Sequence, residues 1–134
     1  MEHITKLFFC LYVIALLLIG GSGLFIAPWE LRTVFHVDLD SMSAINAATL
    51  INQYRFLKGV EFASGCFSWH WRREIYSIPA FRHTFLVIVW AGVGGRLLSV
   101  FVDGEPHVLF LGFLIIEAIT GILMSLRRSR GAYA

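Results

Sequence analysis

Five ionisable side chains lie inside apolar stretches of this 134-residue sequence, where a charge is costly. They are Arg55, Lys58, Glu61, Arg96 and Glu117. An unpaired charge at the centre of a bilayer costs at least about 2.5–3.5 kcal/mol, so we expect these side chains to pair. Carboxylates and basic groups held in this way can bind a polar head group, carry a proton, or act as acid and base.

The helical period predicts which of these side chains meet. Lys58 and Glu61 are three residues apart on one helix and are expected to pair. Glu117 lies near the centre of one other apolar stretch and Arg96 about 5 Å outward of the centre of another, and we predict an ion pair between these helices. Arg55 is expected to join that second pair through Asn52, Ser99 or Glu117. The predicted polar network comprises Asn52, Arg55, Lys58, Glu61, Arg96, Ser99 and Glu117.

Two interpretations of the network stay open. The ion pairs either only fix the register of the helices, or they line a pocket for a small ligand. The further polar groups Gln53 and Thr120 favour the pocket. No nucleophile pattern and no metal-ligand spacing stands out, so catalytic residues and cofactors stay unassigned and no metal site is expected. Cys10 and Cys66 are too few for a disulfide framework.

The composition predicts a membrane protein. Hydrophobic residues make up 57% of the chain and charged residues 15%, with a mean hydropathy of +0.73; soluble domains carry about 25% charged residues. A soluble fold this short cannot hide so much apolar side chain. The composition therefore excludes a soluble enzyme, a disordered tail and a nucleic-acid-binding module, and the net charge of +2 indicates no polyanionic partner.

The elements that must position the charges are apolar helices of about 20 residues each. We predict an all-α, four-helix transmembrane bundle, formed as a single domain by residues 1–134. Its spans are expected at about 7–29, 52–71, 83–102 and 107–126. Residues 30–45 are expected to form an outward-facing interfacial loop or short helix. The apolar run resumes after Gly20–Gly23, which favours a retained first helix over a cleaved signal peptide.

The distribution of Lys and Arg predicts the orientation. Seven lie at the N-terminus, after the second span or at the C-terminus (Lys6, Arg72, Arg73, Arg82, Arg127, Arg128 and Arg130). The other two connections hold only Arg32. Both termini are therefore expected in the cytoplasm of a bacterial inner membrane, with several crossings. His70 and His83 stand near Trp69 and Trp71, where anchoring at the membrane interface is favoured over haem or metal ligation.

The polar positions of the last three spans resemble a known family. The matching residues are Asn52-Gln53-Tyr54-Arg55-Phe56-Leu57, Gly94-Gly95-Arg96-Leu97-Leu98-Ser99, Gly104, Pro106-His107 and Glu117. They are similar to the small four-span bacterial membrane proteins grouped as domain of unknown function 4345, over residues 7–127. Many relatives carry a proline soon after the last acid, whereas Ala118-Ile119-Thr120 follows here. The resemblance implies a fold and a membrane location, and no activity.

Three functions fit these residues. The first is a binding or accessory subunit whose buried polar pocket holds a lipid, a quinone or a partner helix from a membrane complex or a second copy. The second is a small proton-coupled transporter that uses Glu61 or Glu117 as carrier. The third, an enzyme that modifies lipids with a carboxylate, is less favoured because no nucleophile or metal accompanies the acids.

Overall fold

The computed structural model of the protein describes residues 2–127, and its regular structure within that range is entirely helical. The helices are α1 (Glu2–Trp29), α2 (Ala44–His70), α3 (Arg72–Ser77), α4 (Pro79–Val102) and α5 (Val108–Ser125), with a π-helical segment (Glu30–Val34) after α1. The all-α prediction is confirmed. Arg128 and Arg130, which contributed to the predicted orientation, lie outside the described residues.

Three helical stretches are long and apolar enough to cross a membrane: α1 with the π-helical segment, α4 and α5. Leu18, Phe25 and Phe101 are among the many large apolar side chains that these helices leave exposed, as lipid-facing helices do. Helix α2 is not among the three, since its ionisable residues lower its apolar content. The fourth crossing, the orientation and the single domain stay predictions.

Helix α1 bends near its end. Ile26 departs from helical geometry, with φ −102° and ψ 18°, two residues before Pro28. A proline inside a helix removes one backbone hydrogen bond and its ring clashes with the carbonyl four residues earlier, which accounts for the bend. The chain then continues as the π-helical segment and passes through His36, whose φ of 54° is left-handed.

Local signals in the sequence mark the ends of the other long helices. The Ser43 hydroxyl accepts a hydrogen bond from the Asn46 N–H at 3.3 Å, so Ser43 caps the start of α2. Helix α4 starts with Pro79, whose missing N–H would have no helical partner at that position. After α4, Gly104 adopts φ 99°, a conformation that glycine takes without strain.

The described chain divides into two compact units. The unit Ile14–Cys66 contains the later part of α1 and most of α2. A Cβ added at Gly20 would lie 2.6 Å from the Phe62 backbone nitrogen, and one at Gly65 would lie 3.0 Å from the Leu17 side chain. The two helices are therefore in close contact at glycines, as small residues allow in membrane helix pairs.

The other unit combines Met1–Val13 with Phe67–Ala134, and its core is built on α4. Phe85 is fully buried and packs against the rings of Phe9 and Tyr12, with centroids 5.2 and 6.1 Å away. Helix α4 also packs against α5, where a Cβ at Gly121 would lie 3.1 Å from the Trp90 ring. This packing places the middle of α4 beside the later part of α5.

The glycine contact in the first unit can be tested by adding one methyl group. Gly20→Ala forces the new Cβ against backbone that cannot rotate away, so we expect a loss of stability of about 1–3 kcal/mol. Gly94→Ala is the matched control, because nothing lies within 4 Å of its added Cβ. Unfolding of both variants in mixed micelles measures the difference, and equal stabilities would contradict this packing.

Candidate functional site

The ion pair between Arg96 of α4 and Glu117 of α5 is the centre of the candidate site. Arg96 Nε donates a hydrogen bond to Glu117 Oε2 at 2.9 Å. The Arg96 side chain is 23% exposed and that of Glu117 only 6%. A charge-assisted hydrogen bond of this kind is about twice as strong as a neutral one, and it compensates the buried carboxylate. These are the two residues that the sequence analysis paired.

Glycine at position 92 makes room for the acid. A Cβ added at Gly92 would lie 3.3 Å from Glu117 Oε1 and 3.5 Å from Oε2. Gly92 stands four residues before Arg96, so both face α5 from one side of α4. The Glu117 carboxylate therefore lies against the α4 backbone.

Two aromatic rings border the guanidinium. The Arg96 Cζ atom is 5.7 Å from the ring centroids of both Phe110 and Phe113, within the range of cation–π attraction. Phe110 was not predicted from the sequence. The signal was present, because Phe110 and Phe113 precede Glu117 at the spacing of one helical face.

A cavity of about 220 Å³ opens beside Arg96. Its lining is Arg96, Ser99, Val100, Pro106, Phe110, Leu111 and Leu114. Ser99, a predicted network residue, donates a hydrogen bond to Asp103 Oδ2 at 2.9 Å, one turn further along α4. The cavity thus combines a cation and a hydroxyl with apolar walls, a composition typical of sites for small amphiphilic molecules.

The Ile14–Cys66 unit contains a second group of ionisable side chains. Lys58 Nζ donates to Glu61 Oε2 at 2.9 Å, with side chains 4% and 16% exposed. The Tyr54 hydroxyl donates to Glu30 Oε2 at 2.8 Å, and Lys58 Nζ lies 5.2 Å from the centroid of the Tyr54 ring. These four residues form one polar cluster within the unit, which we call the Lys58 cluster.

A glycine of α1 also makes room for side chains of the Lys58 cluster. A Cβ at Gly23 would lie 2.6 Å from Lys58 Cδ and 3.0 Å from Glu30 Oε2, so both side chains rest on the α1 backbone. Glu30 and Tyr54 were missed as network members. Their signals were modest: Glu30 is the first charge after the apolar run of α1, and Tyr54 stands one turn before Lys58.

A family model described as "Domain of unknown function (DUF4345)" matches residues 4–126. The chain belongs to the DUF4345 family. The resemblance noted from the sequence is thereby confirmed. No curated protein and no solved structure matches the chain.

The remaining predicted residues of this DUF4345 protein lie at the surface. Asn52 and Arg55 are exposed on α2, and the predicted connection of Arg55 to the Arg96–Glu117 pair stays a prediction. Within residues 2–127, no group of three or more His, Cys, Asp and Glu side chains could hold a metal ion. Cys10 and Cys66 are exposed free thiols. Among the predicted network residues, the structure pairs Lys58 with Glu61 in one unit and Arg96 with Glu117 in the other.

A double-mutant cycle tests the Arg96–Glu117 pair. Removing one partner leaves a buried charge uncompensated, so Arg96→Ala or Glu117→Ala is expected to cost about 3–5 kcal/mol of unfolding free energy. The double variant should lose clearly less than the sum of the two. Unfolding in mixed micelles provides the three free energies.

The matched control is the Arg32–Asp40 pair, whose atoms lie 2.6 Å apart with both side chains more than half exposed. Its coupling energy is expected to be below about 1 kcal/mol. Additive losses at Arg96 and Glu117 would show that the pair does not stabilise the protein.

Proposed function

We propose that the protein is a small integral membrane protein that binds an amphiphilic molecule in the cavity between α4 and α5. The observation that carries this proposal is the position of Arg96, a cation at the wall of an otherwise mainly apolar cavity. A guanidinium facing such a cavity offers directional hydrogen-bond donors. A molecule with an accepting head and an apolar body matches both parts of the lining.

The geometry supports a preorganised site. Glu117, which lies against Gly92, holds the Arg96 guanidinium before any ligand arrives, so little side-chain freedom is lost on binding. The apolar walls, which include Val100, Leu111 and Leu114, would cover the body of the ligand. If the ion pair served only to fix the register of the two helices, no cavity beside it would be needed.

The charge balance favours a neutral head group. Arg96 is already compensated by Glu117, and Ser99 connects the cavity wall to the carboxylate of Asp103. An anionic head would meet no net positive charge there and would be repelled by Asp103. A carbonyl head, as in a quinone, accepts hydrogen bonds without adding charge. A quinone is therefore our preferred ligand, and an accessory role in membrane redox chemistry is the function that follows.

We further propose that the chain crosses a bacterial inner membrane four times, with α2 as the remaining crossing and both termini in the cytoplasm. Helix α2 has 27 residues, about 40 Å of helix, which exceeds a bilayer core. Its buried charges, Lys58 and Glu61, are paired, so they do not face lipid as isolated ions. The excess of Lys and Arg at the termini and after α2 supports the orientation.

Reporter fusions test this topology. A reporter active only in the cytoplasm is expected to be active when fused after Ser77 and inactive when fused after Asp38 or Gly104. A reporter active only outside the cytoplasm should give the opposite pattern, since the basic segments are retained inside. Equal activity of either reporter on both sides of α2 would contradict the crossing by α2.

Calorimetry with a short-chain benzoquinone, on protein in nanodiscs, tests the ligand. Arg96→Gln removes a charged donor, a loss of about 1.5–3 kcal/mol, so we expect the affinity to fall by at least tenfold. Leu111→Trp, which fills the cavity, should abolish binding. Leu98→Trp, at an exposed position of α4 outside the lining, is the matched control and should bind as the native protein does. Binding unaffected by Leu111→Trp, or no binding to native protein, would refute the proposal.

A further inference from the structure

A second cavity lies at the opposite end of α4. It has a volume of about 390 Å³ and is lined by Pro79, Arg82, His83, Leu86, Val87 and Trp90. Arg82 and Arg96 are 14 positions apart, roughly 21 Å along the helix axis. This groove, which we call the α4 groove, is therefore distinct from the Arg96 cavity.

The lining changes from polar to apolar along the helix. Arg82 and His83 stand in the first turns of α4, and Leu86, Val87 and Trp90 follow one to two turns later. The two parts are separated by roughly 6–12 Å of helical rise. A phospholipid has the same arrangement, with a charged phosphate at one end and hydrocarbon chain at the other.

The polar end of the groove is positively charged. Between Arg72 and Trp90 the sequence contains Arg72, Arg73 and Arg82, and Glu74 as the sole acid. The ring centroids of Trp71 and Phe81 are 4.8 Å apart. Trp71 directly precedes α3 and Phe81 directly precedes Arg82, so this contact brings the start of α3 close to Arg82. Two or more arginines at one end of a membrane helix attract anionic head groups.

Contacts within the unit hold the cation in place. Arg82 Nη1 donates a hydrogen bond to the backbone carbonyl of Arg127 at 3.1 Å, so the side chain is anchored toward the end of α5. Trp90 Nε1 lies 3.4 Å from Ser125 Oγ, which fixes the indole that closes the apolar end.

We propose that the α4 groove binds one anionic phospholipid. The phosphate lies at Arg82 and His83, and one acyl chain runs over Leu86, Val87 and Trp90. Arginine suits phosphate because its planar donors can form two parallel hydrogen bonds. The head group is anionic here because Arg82 and His83 line the groove and, among the described residues, its lining includes no acidic side chain, whereas the Arg96 guanidinium of the other cavity is already paired with Glu117.

Native mass spectrometry tests the proposal. The full-length protein is exchanged into micelles containing equal amounts of phosphatidylglycerol and phosphatidylcholine, and the retained lipids are counted. We expect one phosphatidylglycerol per chain, retained at least fivefold over phosphatidylcholine. Arg82→Gln should reduce that preference to about unity, and Arg82→Lys should preserve part of it.

Two further variants separate binding from folding. Arg82 also supports the Arg127 carbonyl, so Arg82→Gln alone could act through stability; Val87→Trp fills the apolar end and leaves that hydrogen bond intact. Val87→Trp should lose phosphatidylglycerol, whereas the controls Arg32→Gln and Leu98→Trp should retain it as the native protein does. Equal retention of the two lipids by native protein, or full retention by Val87→Trp, would overturn the proposal. Displacement of the lipid by free glycerol phosphate would instead identify a site for a soluble anion.

Discussion

A charge buried inside an apolar helix must be compensated and given space, and the surroundings of Lys58 and Glu117 follow from this constraint. Lys58 and Glu117 are almost entirely shielded from solvent, and each has an opposite charge at 2.9 Å. Each also rests on a glycine of a neighbouring helix, Gly23 or Gly92. The pairing removes most of the cost of the charge, and the glycine removes the steric conflict.

The two ion pairs differ in what surrounds them, and this difference separates their roles. In the Lys58 cluster the nearly inaccessible ammonium group donates to Glu61 and lies near the Tyr54 ring, while the Tyr54 hydroxyl donates to Glu30. The Arg96 side chain is partly exposed and borders a cavity. The Lys58 cluster thus fits a role in joining α1 to α2, whereas the Arg96–Glu117 pair has room for a further molecule beside it.

Helix α4 carries different chemistry along its length. Its first turns are basic and border an apolar groove, its middle packs through Phe85 and Val89, and its later part presents Arg96 to a cavity. The acids Glu117 and Asp103 accompany only the later part. The proposed anionic lipid and the proposed quinone would therefore bind at opposite halves of one helix.

The amino-acid sequence determined the helical class, the membrane character and the identity of the charges that had to be paired. Composition and the 3.6-residue period carry that information, and they placed Lys58 beside Glu61 and Arg96 toward Glu117. The sequence also marked the ends of α2 and α4 through Ser43 and Pro79.

The tertiary structure alone decided which side chains complete each site. Glu30 and Tyr54 are 24 residues apart and meet only because α1 and α2 come close at Gly20 and Gly23. The cavity beside Arg96 likewise depends on how Phe110 and Leu114 of α5 face α4. Periodicity assigns a residue to a face of its own helix, but the contact between faces depends on which backbones can approach, and that is set by packing between helices.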